Sequence, residues 1–138
     1  MTRLLDPPED RQVFELPFTP EAAHIDGNDH VNNVVYLAWA QDLAIAHWSA
    51  VASPEDQARW GWVVLRHEVD YRRPLHLGQT ARGLTWVDDA PEGPRFARFC
   101  RIDGPDGMCA QVRTVWCLVD PASGRPQRVP AHMVEMFA

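Results

Sequence analysis

The sequence lacks any apolar run long enough to cross a bilayer. Its longest, Val34 to Ala50, is interrupted by Gln41, Asp42 and His47, whereas a span needs about 20 predominantly apolar residues. The opening residues, MTRLLDPPEDRQ, contain no apolar stretch of the kind a secretory leader requires. Cysteine is sparse: Cys100, Cys109 and Cys117 form no C-x-x-C pair, and no histidine pattern completes a zinc site, so reduced, packed thiols and no metal are expected. Positive charge is also short, with 13 basic against 19 acidic residues and a net charge of −6. Without a basic stripe a nucleic-acid module is excluded, although a ligand with a few phosphates needs only two or three well-placed basic side chains. A soluble cytoplasmic protein is the expectation.

What is present is ordinary globular material. The 138 residues are 46% hydrophobic and 23% charged, enough to bury one core without help. No repeat, low-complexity tract or linker divides the chain, so a single domain over 1–138 is expected, with 1–10 as a loose polar arm.

Residues 13–18 alternate, placing Phe14, Leu16 and Phe18 on one face of a short strand. The turn-rich loop TPEAAHIDGNDH follows, and then Asn32 and Asn33 stand where helix caps belong. The run VVYLAWAQDLAIAHWSA carries apolar residues on nearly every side, so as a helix it is expected to be buried over most of its surface. In so small a domain only a curved sheet can surround it.

The remaining chain supplies strands. From Trp62 to Arg72, Val63, Leu65, His67, Val69 and Tyr71 alternate against Trp62, Val64, Arg66, Glu68 and Asp70. Strands over 77–87, 95–102 and 108–119 follow, separated by DDAPEGP and DGPDG, as an antiparallel meander. The last of them places Val112, Thr114, Trp116 and Leu118 on one face, and the tail AHMVEMFA reads as a short helix or strand. The fold class is therefore α+β: one long helix wrapped by a curved, mainly antiparallel sheet of about five strands, the arrangement called a hotdog. Such a sheet leaves an edge strand and part of the helix uncovered, so a homodimer or homotetramer is expected.

The densest polar cluster is His24-Ile-Asp26-Gly-Asn28-Asp29-His30-Val-Asn32-Asn33, directly before that helix. A helix N-terminus offers free N–H groups and partial positive charge, which suits a developing oxyanion. A carboxylate beside it can attack an acyl carbonyl or activate water. Asx-turns and helix capping account for the same residues structurally, and on composition alone that is the commoner role.

HIDGNDHVNNVVYLAW closely resembles the D-x-x-G-H-V-N-N-x-x-Y-L signature of the 4-hydroxybenzoyl-CoA thioesterase-like branch of the hotdog superfamily. HEVDYRRPLHLGQ resembles that family's strand ending in Y-x-x-P-x-x-x-G-[DQ], and VWCLVDPASGRPQRVP is similar to its last strand and following turn. The resemblance spans roughly 13–136 in the same order. It implies an acyl-CoA thioesterase, with CoA present as part of the substrate and no separate cofactor. It implies that Asp26 is the catalytic carboxylate, nucleophile or general base, and that the Asn33 backbone N–H polarises the thioester carbonyl. His30 and Asn32 match positions that shape the loop or touch substrate. The sequence departs from the pattern at Asp29, which stands for the motif's glycine, and at Gln41, where many relatives carry glutamate.

Around these stand weaker candidates. Tyr36, Trp39 and His67 are taken as substrate-binding, as are Arg72 and Arg73 for phosphates; Arg66, Arg125 and Arg128 are further arginines at strand ends and turns. Trp39 and Trp62 are candidates for an acyl or aryl pocket. Ser49, Ser53 and Ser123 lack a nucleophile elbow, and His24, Asp26 and His30 fit no strong metal spacing. Two alternatives stay open: a hotdog enoyl-CoA hydratase or dehydratase, and a protein that binds acyl thioesters without turnover. The carrier, CoA or acyl carrier protein, is not settled by sequence.

Overall fold

A computed structural model describes residues 4–138. Asn32 is extended, and its side chain accepts the Val34 N–H at 3.4 Å, opening helix α1 over Asn33–Val51. Val35, Tyr36, Trp39, Ala40, Leu43, Ala44 and His47 form its buried side. Burial over most of its surface is not what the structure shows: Val34 is 64% and Ile45 59% exposed, and other α1 positions are exposed with them. The reason is coverage, because α1 lies mainly over the β1, β3 and β4 side of the sheet and leaves its opposite flank open.

The sheet consists of β1 (Phe14–Phe18), β2 (Gly61–Tyr71), β3 (Ala81–Val87), β4 (Arg95–Gly104) and β5 (Gly107–Val119). Its order is β1-β3-β4-β5-β2, with every neighbouring pair antiparallel. This corrects the simple meander, since only β3, β4 and β5 follow one another in space. Residues 72–80 instead carry the chain from the β2 edge to the far side of β4. That segment contains Pro74 and Gly78 and is longer than a hairpin loop, which is the physical sign of a crossover. Residues 77–80, expected as strand, are turn, with Gly78 at a φ of 89°.

Within β2 the alternation also breaks. Val64 pairs with Trp116 and Arg66 with Val115, so Leu65 is an extra residue in a bulge. Trp62 and Val64 therefore share the helix-facing side with His67, Val69 and Tyr71, while Val63 and Leu65 are exposed. The face read for β5 is as expected, with Thr114 bonded to His67 and Val112 and Leu118 fully buried.

A short helix not anticipated from sequence, α2 (Pro54–Arg59), has its signals in plain view. The Ser53 hydroxyl accepts the Asp56 N–H at 3.1 Å, and Pro54, Glu55 and Asp56 occupy the first turn. The tail forms α3 (Ala131–Glu135), which buries Met133 and Phe137 against the C-terminal end of α1. The core thus has two clusters. Tyr36, Trp39, Leu43, Ile102 and Val112 belong to one beneath the first half of α1, and Phe96, Leu118, Met133 and Phe137 to another at its far end.

Of the arm expected over 1–10, residues 1–3 lie outside the described residues. Its described part is tied to the sheet: the Leu5 N–H donates to Gln111 Oε1 at 2.9 Å, and Arg101 donates to the Leu5 carbonyl at 3.0 Å. Cys100, Cys109 and Cys117 are buried and form no disulfide. Among the described residues no helix is long and apolar enough to cross a membrane.

Candidate active site

The loop ahead of α1 closes on itself like a miniature hairpin. Ile25 bridges Val31, the Asp26 N–H donates to the His30 carbonyl at 2.8 Å, and the Asn32 N–H donates to the His24 carbonyl at 2.8 Å. At its tip the Asp26 Oδ1 accepts the Asn28 N–H at 2.9 Å and the His30 N–H at 3.3 Å. This is the Asx-turn expected of an aspartate in such a loop. It uses one carboxylate oxygen; Oδ2 accepts no hydrogen bond from the described residues.

Asp29 has a φ of 66°. In this left-handed region glycine is unstrained, and among other residues aspartate and asparagine are the most tolerated. The departure from the glycine of the resembled motif therefore keeps the backbone bend and adds an exposed carboxylate.

The crossover over 72–80 braces the loop from the other side. The Val31 N–H donates to the Leu75 carbonyl at 2.9 Å, and the Leu75 N–H donates to the Tyr36 hydroxyl at 3.2 Å. His76 Nδ1 bonds the Asp29 carbonyl at 3.1 Å, and its ring meets the His30 ring edge-on at 5.1 Å. From the end of β2, the Tyr71 hydroxyl donates to the Asn33 carbonyl at 3.1 Å. Burial is the main cause that pushes the Tyr36 phenol up to about 12, so it stays protonated and serves as an anchor.

The Asn33 N–H is the first of the helix and has no hydrogen-bond partner among the described residues. It is a free donor at the positive end of a 19-residue helix.

The structure therefore gathers Asp26, His30, Asn32 and Asn33 at one helix end, with Tyr36 beneath them. Arg72 and Arg73 are exposed directly after Tyr71. Two candidates fall elsewhere. Trp39 is buried, stacked on Phe18 at 5.0 Å and edge-on to His24, so in this chain it supports the loop from below rather than walling an open pocket. His67 lies four residues back along β2 from Tyr71, its Nδ1 held by Thr114 Oγ1 at 2.8 Å; burial shifts its pKa down. Trp62 does line a cavity, at the other end of α1.

Sequence reasoning missed Tyr71, Leu75 and His76 as parts of this site. The hairpin expected between β2 and β3 kept their segment away from α1, and only its length signalled otherwise. Among the described residues no three His, Cys, Asp or Glu side chains stand close enough to hold a metal ion.

One long helix lying on a five-stranded antiparallel sheet of this order defines the hotdog class. Solved structures share it. A predicted thioesterase from Bacillus stearothermophilus superposes with a TM-score of 0.81 at 23% identity, covering 91% of this chain and 94% of that one. A thioesterase from Thermus thermophilus, solved with coenzyme A and zinc, gives 0.78 at 22% identity, with 90% of each chain covered. A 1,4-dihydroxy-2-naphthoyl-CoA thioesterase from Synechocystis gives 0.75 at 14% identity, covering 91% and 95%. No functionally curated protein matches the chain in sequence. The thioesterase-like superfamily model matches residues 20–137, and the chain belongs to that family: it is a thioester hydrolase.

Proposed function

We propose that the protein hydrolyses an acyl-CoA thioester at the start of α1. The observation carrying this reading is the pairing of the Asp26 carboxylate, oriented through Oδ1 with Oδ2 left over, with the unpartnered Asn33 N–H on the same loop-helix junction. The N–H polarises the carbonyl oxygen and meets the negative charge that develops there. Acting as base, Asp26 takes a proton from water while the water oxygen bonds to the carbonyl carbon. The C–S bond then breaks, its electron pair leaves with sulfur, and the proton passes to the thiolate. Acting as nucleophile, Asp26 itself bonds to the carbonyl carbon, the C–S bond breaks and the thiolate leaves with its electron pair. Water then cleaves the acyl-aspartyl anhydride to the free acid and the restored carboxylate, its remaining proton passing to the thiolate.

Arg72 and Arg73, exposed beside this end, are the proposed partners of the CoA phosphates, and His30 and Asn32 shape the mouth of the site. No further cofactor is needed for this chemistry. Val34 and Ile45 on α1, and Val63 and Leu65 on the edge strand β2, are exposed apolar side chains. Such an edge supports pairing with a second copy of the chain.

Thiol release from a panel of acyl-CoA and acyl-carrier-protein thioesters tests the activity. Crotonyl-CoA included in the panel separates hydrolysis from loss of the double bond by hydration. Intact-mass measurement of enzyme quenched during turnover separates the two roles of Asp26. An acyl adduct on that residue marks the nucleophile, and undiminished turnover without adduct marks the base.

A further inference from the structure

At the far end of α1, about 17 Å from Asn33 at the usual helical rise, lies a cavity of about 220 Å³. Four of the six tryptophans, Trp48, Trp60, Trp62 and Trp116, wall it together with Phe96 and Phe137. One charged group faces into this aromatic box: Arg98, only 5% exposed.

The bonding of Arg98 is one-sided. Its Nη1 donates to His47 Nδ1 at 2.9 Å and to Thr85 Oγ1 at 3.1 Å. His47 is fixed as the acceptor because its Nε2 donates to Gln12 Oε1 at 2.7 Å. The Nε and Nη2 groups, the edge of the guanidinium that grips a carboxylate with two parallel bonds, donate to no protein atom among the described residues. Burial lowers the Arg98 pKa to about 10, so the group remains charged at neutral pH.

No acidic side chain answers that charge among the described residues. The contrast with Arg11 and Arg101 is direct: their side chains are 18% and 19% exposed, yet each is paired with aspartate. An uncompensated buried charge is among the costliest arrangements a fold can keep. Trp116, on the same wall, presents its ring to the cavity, while its Nε1–H is buried and has no acceptor among the described residues. The box thus presents one cation with unused donors and, among the described residues, no anion.

We propose that this cavity binds a carboxylate carried on an apolar body, its oxygens on the free edge of Arg98 and its ring or chain among the tryptophans. Two sources share that chemistry: the distal carboxylate of a dicarboxylic acyl group under hydrolysis, and a free carboxylic acid. The site stands on the cavity alone; only its use by the substrate rests on the hydrolase reading.

Tryptophan fluorescence and calorimetry with phenylacetate and octanoate, against their neutral amides, test it on the wild-type protein. The acids should bind at least tenfold more tightly than the amides, the scale of a charged hydrogen-bonded pair. Arg98→Gln, checked for folding by thermal melt, should remove that preference. Equal binding of acid and amide, an acid affinity unchanged in folded Arg98→Gln, or no saturable binding would overturn the proposal. The acid-amide comparison decides the matter even where the variant fails to fold.

Kinetics then separate the sources. A kcat/KM higher for dodecanedioyl-CoA than for dodecanoyl-CoA, lost in Arg98→Gln, assigns the site to the substrate's far end. Saturable acid binding without that preference assigns it to a free acid. Acid binding in a protein that cleaves no thioester would remove the hydrolase reading and leave the site standing.

Discussion

The two ends of α1 handle charge in opposite ways. At the N-terminal end, the Asp26 carboxylate is half-buried and oriented by backbone N–H groups of its own loop. At the C-terminal end, Arg98 is buried in an aromatic box and held by His47 and Thr85 from two other elements. The first arrangement is local in sequence and inexpensive, since turn residues supply it and water finishes the solvation. The second is non-local and keeps a charge out of water with only neutral partners. On the proposed reading the carboxylate needs access to react, and Arg98 as a recognition group gains strength from low dielectric.

This comparison can be broken most severely at His47. Burial, and after it the Arg98 charge, lowers its pKa to about 3 from a usual 6.5. The unfolded chain binds a proton below pH 6.5 that the folded chain refuses until about pH 3. Stability from this group is therefore complete above pH 6.5 and falls with acidification through that window, by up to about 1.4 kcal/mol per pH unit. Urea titrations from pH 7 to 4 should show a shallower decline for His47→Gln than for wild type. Parallel declines would mean that the far end is not where acid acts.

The near end should respond less. Asn32→Ala removes the cap of α1 and is expected to cost about 1 kcal/mol by denaturant unfolding. It should also lower turnover while leaving phenylacetate binding at the far cavity unchanged. A loss at both ends would show that α1 transmits the change and that the two regions are not independent. Smallest is the effect at Asp29, whose φ is 66°. Asp29→Gly should leave stability nearly unchanged, whereas Asp29→Ala, lacking a side chain that helps in this conformation, should lose about 1 kcal/mol. Equal stabilities for the two variants would remove backbone strain from the account of the loop.

What could be read from the sequence follows the same division. The geometry of the near end was legible because it is local: Asp26, His30, Asn32 and Asn33 lie within eight residues and carry their own turn and cap signals. The strands were legible wherever the alternation ran unbroken, as in β5. A single extra residue at Leu65 was enough to reverse the side assigned to Trp62 and Val64 relative to His67. The crossover that brings Leu75 and His76 to the loop depends on β2 pairing with β5, and within 72–80 only the length of the segment hints at that choice.

Arg98 was overlooked for a related reason: an arginine in a strand ordinarily faces water. Its parity carried the warning, since Phe96, Arg98, Cys100 and Ile102 share one face, and the other three are buried. A charged residue on an apolar face is the sequence signal for such a group.

The most direct test of the central claim is thiol release from acyl-CoA by wild type and Asp26→Asn, matched for folding by circular dichroism. Asparagine keeps an Oδ1 to accept the Asn28 and His30 N–H groups, so the loop survives while the charge is lost. The account predicts turnover lower by about two orders of magnitude or more, the scale of a lost base or nucleophile. Turnover left intact in a folded Asp26→Asn would contradict it and move the chemistry away from the start of α1.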